Sequence, residues 1–296
     1  MGRFDLTPDK TGVGEKAMKA SKVRPAVQAG RFYPDDREEL RSTVRSLLDK
    51  APRAELGACP RGLMAPHAGY IFSGATAACA YRQIEGMEAQ RVIVAGPSHH
   101  AHFPGGSIYD GRAFETPLGQ VEVDVDLAEA LRAQAPIFRH APQAHAPEHS
   151  IEVQLPFLQM TLKGFRLLPI LISDQGEENC LALAEALLGV LESRPPVSTL
   201  FVASSDLYHG YDYEECGVQD HRFEQALLSF EPRRLLREAL AGGCMACGAG
   251  PVATVMELSR QVGATQAQIL RRTNSRDAQP MAGSSYIVGY AAAVFV

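Results

Sequence analysis

The 296-residue chain lacks a long apolar stretch and has no surplus of basic residues, and both absences restrict its function. No apolar run approaches the roughly 18 to 20 residues that a helix needs to cross a bilayer. The formal net charge of −5 argues against general nucleic-acid binding, which needs a basic face to displace counterions. The N-terminus carries lysines but no apolar core segment, so it is not typical of a signal peptide. We therefore expect a cytoplasmic protein that binds neither membranes nor nucleic acid.

Cysteine is also scarce, because six residues in 296 are too few for a fold held together by disulfides. Hydrophobic residues make up 46% of the chain, which suffices for a large core without such bonds. Cys244 and Cys247 form one CxxC pair, and without a second pair this spacing is a weak sign of a zinc or redox site. The other four stand in helical or loop-like contexts, where buried free thiols are expected: Cys59, Cys79, Cys180 and Cys216.

Hydrophobic periodicity predicts an α/β fold. Residues 1–22 are polar and aperiodic, so we expect a poorly ordered tail followed by a single domain over residues 23–296. Short apolar segments predict strands at 62–65, 91–95, 166–172, 200–203, 265–271 and 286–296, with a hairpin or edge excursion formed by 107–109 and 120–125. Helical spacing predicts helices at 36–50, 74–83, 127–133, 151–162, 180–191, 220–228, 233–241 and 251–262. This alternation indicates a central, mostly parallel β-sheet with helices on both faces.

Three predicted strands are each followed by small or turn-forming residues and then a histidine. His67 follows strand 62–65, His99 follows strand 91–95, and His209 follows strand 200–203. Ligands of open α/β sheets bind outside the carboxyl ends of parallel strands, so we expect these histidines to share one crevice.

His149 is a further candidate, since it stands three residues before Glu152 on one face of a predicted helix. Glu148, beside it, either belongs to the site or complements the helix dipole. Neutral imidazoles bind iron, copper or zinc, and a separate histidine can transfer protons near pH 7. Asp206 is either a ligand or the carboxylate that orients one, and we favour the second role.

A hydrolase is an alternative reading of Ser204, Ser205, Asp206 and His209. We do not favour it, because no Gly-x-Ser-x-Gly turn frames either serine as a nucleophile.

Five short segments resemble, in order, the motifs of the Memo family: Ala65–Tyr70, Gly96–His100, Glu148–Glu152, Ser204–Asp206 with His209, and Cys247–Gly248. The segment Gly30–Pro34 also resembles the N-terminal part of that family. The resemblance covers about residues 24–296. It implies a fold like that of class III extradiol dioxygenases.

The resemblance also implies a metal-dependent redox protein that uses non-heme iron or copper. It assigns metal binding to His67, His99 and Cys247, and catalytic pocket roles to His149, Asp206 and His209. The dioxygenases complete their iron site with a carboxylate, whereas a cysteine takes that place here. A thiolate favours softer ions such as Cu(I). From sequence spacing alone, Cys244 is an alternative ligand.

The partners that we expect are a small molecule or a peptide in the pocket and, from the resemblance to prokaryotic Memo proteins, a radical-SAM protein of the same system. An alternative function is a non-enzymatic binding module, in which the same pocket holds a peptide or a small anionic ligand. Bound iron or copper would favour the redox protein over the binding module.

Overall fold

The computed structural model describes residues 23–139, 141–281 and 284–296, so the tail predicted at 1–22 lies outside the described residues. No helix within these ranges is long and apolar enough to cross a membrane. The strands are β1 (Val23–Arg24), β2 (Gly62–Ala65), β3 (Arg91–Pro97), β4 (Gly106–Ile108), β5 (Ala113–Thr116), β6 (Gly119–Glu122), β7 (Phe138–Arg139), β8 (Arg166–Ile172), β9 (Thr199–Ser204), β10 (His209–Gly210), β11 (Ala267–Asn274) and β12 (Ile287–Phe295).

The α-helices are α1 (Arg37–Lys50), α2 (Tyr70–Tyr81), α3 (Val125–Gln134), α4 (Pro142–His145), α5 (Leu155–Thr161), α6 (Glu177–Glu192), α7 (Tyr213–Leu228), α8 (Pro232–Leu240), α9 (Ala249–Gln261) and α10 (Ser275–Ala278). Two short 3-10 segments follow α2 and precede α5, at Arg82–Ile84 and Glu152–Gln154. Helix α1 illustrates how the sequence sets a boundary. Asp36 accepts hydrogen bonds from the N–H groups of Glu38 and Glu39, so its carboxylate caps the helix.

The main sheet has the strand order β10-β12-β2-β9-β3-β8-β4-β7, and β11 pairs with β12. Its centre, β2-β9-β3-β8, is parallel. Both flanks contain antiparallel pairs, since β12 runs antiparallel to β2 and β4 runs antiparallel to β8. The α/β class is therefore confirmed, with a parallel character that is partial and confined largely to the centre. The likeness to extradiol dioxygenases stays a prediction.

Helices cover both faces of this sheet because its central strands are apolar on both sides. Along β3, Val92 and Val94 enter one core while Ile93 and Ala95 enter the other, as the alternating direction of strand side chains requires. The first core also receives side chains of α1, α2 and α5, and the second receives those of α3 and α6–α9.

Of the two arrangements predicted for 107–109 and 120–125, the hairpin is wrong, and an edge excursion is nearer to what forms. Strand β4 pairs with β8 and β7 in the main sheet, and the hairpin is formed by β5 and β6, which join β1 in a separate three-stranded sheet. Alternation of apolar residues indicates strands but does not identify their partners, which explains the error.

The carboxyl ends of β2, β9 and β3 lie side by side, because these three strands are consecutive in the sheet. The loops that leave these ends carry the motifs with His67, Asp206 and His99. The sheet order therefore brings separate parts of the sequence to one edge.

Candidate metal centre

His67 is the innermost of the candidate ligands, with 1% of its surface exposed. Its Nδ1 atom lies 2.8 Å from Oγ of Ser204, and its backbone N–H donates to Oδ1 of Asp206 at 2.8 Å. These contacts attach the His67 loop to the end of β9. The ring is therefore held in place from the side opposite its Nε2 atom.

His99 and His149 lie further out and share one buried carboxylate. Glu148 accepts hydrogen bonds from the backbone N–H groups of His99, His149 and Ser150 at 2.7–2.9 Å. Its Oε1 atom also lies 2.9 Å from Nδ1 of His99 and 3.2 Å from Nδ1 of His149. Glu148 thus contacts the Nδ1 atom of each ring, and the Nε2 atoms point away from it.

The three imidazoles form a compact group. One ring nitrogen from each of His67, His99 and His149 lies within 4.8 Å of the others. The rings of His99 and His149 are stacked with centroids 4.6 Å apart, and both meet His67 edge-on at 5.3 and 5.2 Å. A group with this spacing can supply several nitrogen ligands to one ion.

The electrostatics of the site favour neutral rings at His67 and His149. Burial, followed by the nearby charges of His149 and His99, lowers the pKa of His67 well below its ordinary value. Burial lowers the pKa of His149 to about 4, although the charge of Glu148 opposes that shift. Burial raises the pKa of Glu148, but the hydrogen bond and charge of His99, with backbone N–H donors, outweigh it and hold this pKa well below its usual range. Neutral imidazole is the form that binds metal, so these shifts suit a ligand set near pH 7.

Cys247 contacts the innermost histidine. Its Sγ atom lies 3.2 Å from Nε2 of His67, and the backbone N–H of Asp206 points to the same sulphur at 3.3 Å. Burial, and then the charge of Asp206, raises the pKa of the Cys247 thiol far above its ordinary value. Cys244, the alternative ligand, is 3% exposed and packs in the hydrophobic core. Of the two cysteines, Cys247 is therefore the one beside the histidines.

Asp206, on the loop after β9, and His209, the first residue of β10, flank this group. Burial raises the pKa of Asp206 to about 7, against the opposing effect of N–H donors from His67 and Ala68. Nδ1 of His209 lies 2.8 Å from the carbonyl oxygen of Leu207, and burial lowers the pKa of this histidine. The structure therefore brings all six predicted site residues to one end of the sheet.

A cavity of about 700 Å³ opens beside this group. Its walls include His149 and Asp206 at one end and carry aromatic side chains, among them Phe32, Tyr211 and Tyr286. The Phe32 ring lies 4.9 Å from the His149 ring, centroid to centroid. A ligand in this cavity would lie against His149.

Comparison with known proteins identifies the family. The sequence profile described as "Memo-like protein" matches residues 24–294. The chain belongs to the Memo family. A MEMO1 family protein of Nitrosopumilus maritimus is 30% identical over 279 residues, covering 93% of this chain and 100% of that protein. A MEMO1 family protein of Aquifex aeolicus is 34% identical over 276 residues, with the same coverage. Another from Methanobrevibacter smithii is 34% identical and covers 92% of this chain and 99% of its own length.

Within this Memo chain, Glu148 belongs to the site, which is one of the two roles that its position in the sequence left open. The helix dipole does not explain it, because its oxygens meet the rings and backbone of the candidate ligands. The signal in the sequence was a glutamate directly before His149. Glu152, by contrast, faces away from this site: it bonds to Arg24, to the N–H of Gln28 and to the hydroxyl of Tyr33.

Proposed function

We propose that this Memo protein is a metal-dependent redox protein that binds iron or copper through His67, His99 and Cys247, with His149 as a further nitrogen donor. The proposal rests mainly on one observation, the three imidazole nitrogens within 4.8 Å of one another. Cys247 adds a soft sulphur atom 3.2 Å from Nε2 of His67. Neutral nitrogens together with one sulphur suit iron and copper better than hard ions such as Mg²⁺.

A bound iron or copper ion would supply one-electron redox chemistry. The other tasks fall to the protein. Glu148 and Ser204 hold the ligand rings from behind, as the partners of metal-binding histidines commonly do. Asp206, whose pKa is raised to about 7, can hold a proton on its carboxylate near neutral pH. His209 can exchange a proton through its imidazole at the same end of the site.

Metal analysis of untagged protein, purified without oxygen and then loaded with Fe²⁺ or Cu⁺, tests this proposal. We expect near-stoichiometric binding of one of these ions and a clear loss of affinity in His67→Ala and His99→Ala. His221→Ala is the matched control, because His221 is an exposed histidine that pairs with Glu224 on α7. Failure of the wild-type chain to bind either ion would refute the proposal, as would equal losses in the control.

A binding module is the second candidate, and the cavity of about 700 Å³ is the observation that favours it. Arg276 at its wall offers a positive charge, and its aromatic walls offer apolar surface to a peptide or a small anionic ligand. If wild-type protein binds no redox metal under any loading condition, this function becomes the better account. The radical-SAM partner implied by the family is a separate proposal, which co-purification from the native host would test.

A further inference from the structure

A chain of buried hydrogen bonds runs behind His67, away from the cavity. It passes from the hydroxyl of Tyr81 through the side-chain amide of Gln154 to the hydroxyl of Ser204, which meets Nδ1 of His67. We propose that Gln154 and Ser204 are positioning residues that keep the proton of neutral His67 on Nδ1. In this arrangement the lone pair of Nε2 faces the site.

The carbonyl oxygen of Pro66 determines which atoms donate and which accept along these hydrogen bonds. The amide of Gln154 lies 3.0 Å from that oxygen, which can only accept a hydrogen bond. The amide nitrogen must therefore face Pro66, and its second hydrogen points to Oγ of Ser204 at 2.8 Å. The amide oxygen is left to accept from Tyr81 at 2.7 Å. This orientation satisfies each polar atom of the amide.

The hydrogen bonds of Ser204 then determine that its hydroxyl oxygen accepts from the histidine. Its Oγ atom lies 2.5 Å from the carbonyl oxygen of Ser150, so the single hydroxyl hydrogen is donated there. Oγ then has two lone pairs, and Gln154 donates to one of them. The other faces Nδ1 of His67 at 2.8 Å. If that nitrogen carried no hydrogen, two acceptors would lie in contact within a site that excludes water.

The consequence concerns the atom that would bind a ligand. With the proton on Nδ1, Nε2 of His67 has a free lone pair directed toward Sγ of Cys247, 3.2 Å away. Metal-binding histidines depend on such a partner to fix the tautomer and the ring orientation. The proton assignment does not depend on bound metal, and only its effect on affinity rests on the proposed function.

Nitrogen NMR of metal-free protein tests the assignment directly. The histidines would be labelled with ¹⁵N, and the His67 signals identified by their disappearance in His67→Gln. At pH 8 we expect a protonated, pyrrole-type Nδ1 and a bare, pyridine-type Nε2. A proton found on Nε2, or equal populations of both tautomers, would overturn the proposal without any further variant.

Ser204→Ala then removes the acceptor, and we expect a mixture of His67 tautomers. Ser259→Ala is the matched control, because Ser259 has the same 0% exposure and its hydroxyl donates to the carbonyl oxygen of Val255 in the same helix. Gln154→Leu should cause a smaller loss, since Ser204 still donates to Ser150 and can still accept from His67. If Ser204→Ala does not fold, the proposal is tested by the tautomer of His67 in the wild type and in Gln154→Leu. An unchanged tautomer in folded Ser204→Ala contradicts the assigned role.

Zinc titration provides the second readout, with zinc alone as the probe. Loss of a partner behind a metal-binding histidine typically lowers affinity about 10- to 100-fold, and we expect this for Ser204→Ala but not for Ser259→Ala. If the wild type binds neither Fe²⁺ nor Cu⁺ in the loading experiment but holds the proton on Nδ1, the proposed function fails while the positioning role stands. If Ser204→Ala binds zinc as tightly as the wild type, His67 does not need this partner to bind metal.

Discussion

Glu148 binds His99 twice: its carboxylate accepts from the backbone N–H at 2.7 Å and meets Nδ1 of the ring at 2.9 Å. It also meets Nδ1 of His149 at 3.2 Å. One buried charge therefore fixes the position of one candidate ligand and the ring edge of a second. The distance between the two rings depends on this carboxylate.

Glu148→Gln should therefore weaken metal binding while the fold persists. The amide keeps the shape of the side chain but replaces one acceptor oxygen with a donor, which opposes the N–H groups that now point to it. We expect a loss of about 10- to 100-fold in affinity, measured by competition with a chromophoric chelator. Glu178→Gln, an exposed substitution in the first turn of α6, serves as the control. Unchanged affinity in Glu148→Gln would mean that the rings are held by other contacts.

The buried ion pair between Arg24 and Glu152 should contribute to stability. Their side chains are 2% and 0% exposed and lie 2.5 Å apart, and Arg24 also donates to the carbonyl oxygens of His145 and Glu148. Arg24→Met leaves the carboxylate buried without its cation. Breaking such a pair costs about 3–5 kcal/mol, so we expect the free energy of unfolding in urea to fall by that amount.

Arg234→Met is the control for that measurement, because Arg234 forms an exposed pair with Glu238 on α8. A pair of this kind contributes about 0.3–0.5 kcal/mol. The double variant Arg24→Met with Glu152→Gln should recover part of the loss, since no uncompensated charge remains. Equal effects at Arg24 and Arg234 would contradict this account.

Local pattern was enough to predict much of the fold. The predicted strands 62–65 and 166–172 have the bounds of β2 and β8, because each is a continuous apolar run closed by polar or turn-forming residues. The pairing of β4 was missed, since its partner β8 lies about sixty residues away in the sequence. Helix α2 begins at Tyr70 rather than at residue 74, in a segment whose aromatic and β-branched residues hid the helical start.

Sheet topology was enough to predict which histidines converge. It was not enough to predict which side chains hold them in place. His67 and His99 follow β2 and β3, which run parallel to β9 on either side of it, so their convergence follows from the sheet. The contacts of Ser204 with His67 and Gln154 join residues 137 and 50 positions apart. Such partners cannot be read from spacing, because they depend on how the loops pack after the sheet has formed.

The cysteines of the metal-free protein should differ in reactivity. Cys59 is exposed, whereas Cys247 is partly buried and has a pKa raised by burial and by the charge of Asp206. The thiolate is the reactive form, so Cys247 should stay largely unreactive at pH 7.5. We expect iodoacetamide to modify Cys59 first, as followed by peptide mass mapping over time. Preferential labelling of Cys247 would show that its surroundings activate the thiol.

Asp220 should make stability depend on pH. It is 3% exposed and accepts hydrogen bonds from the N–H of Tyr208 at 3.1 Å and from the thiol of Cys216 at 3.6 Å. Burial raises its pKa to about 6, above the ordinary value of 3.8, despite the opposing hydrogen bonds. The folded state therefore holds this proton more tightly than the unfolded state. The stabilisation of the folded state by this proton is fully present below about pH 4 and is lost as pH rises through 6.

Asp220→Asn tests that dependence, because the amide retains an acceptor for Tyr208 but does not ionise. Relative to the wild type, the variant should gain stability as pH rises from 4 to 8, by up to roughly 3 kcal/mol for a shift of about two pKa units. Urea unfolding at a series of pH values measures the difference. Asp126→Asn is the control, because the Asp126 side chain is 75% exposed. If the difference between Asp220→Asn and the wild type is constant from pH 4 to 8, Asp220 does not titrate in this range.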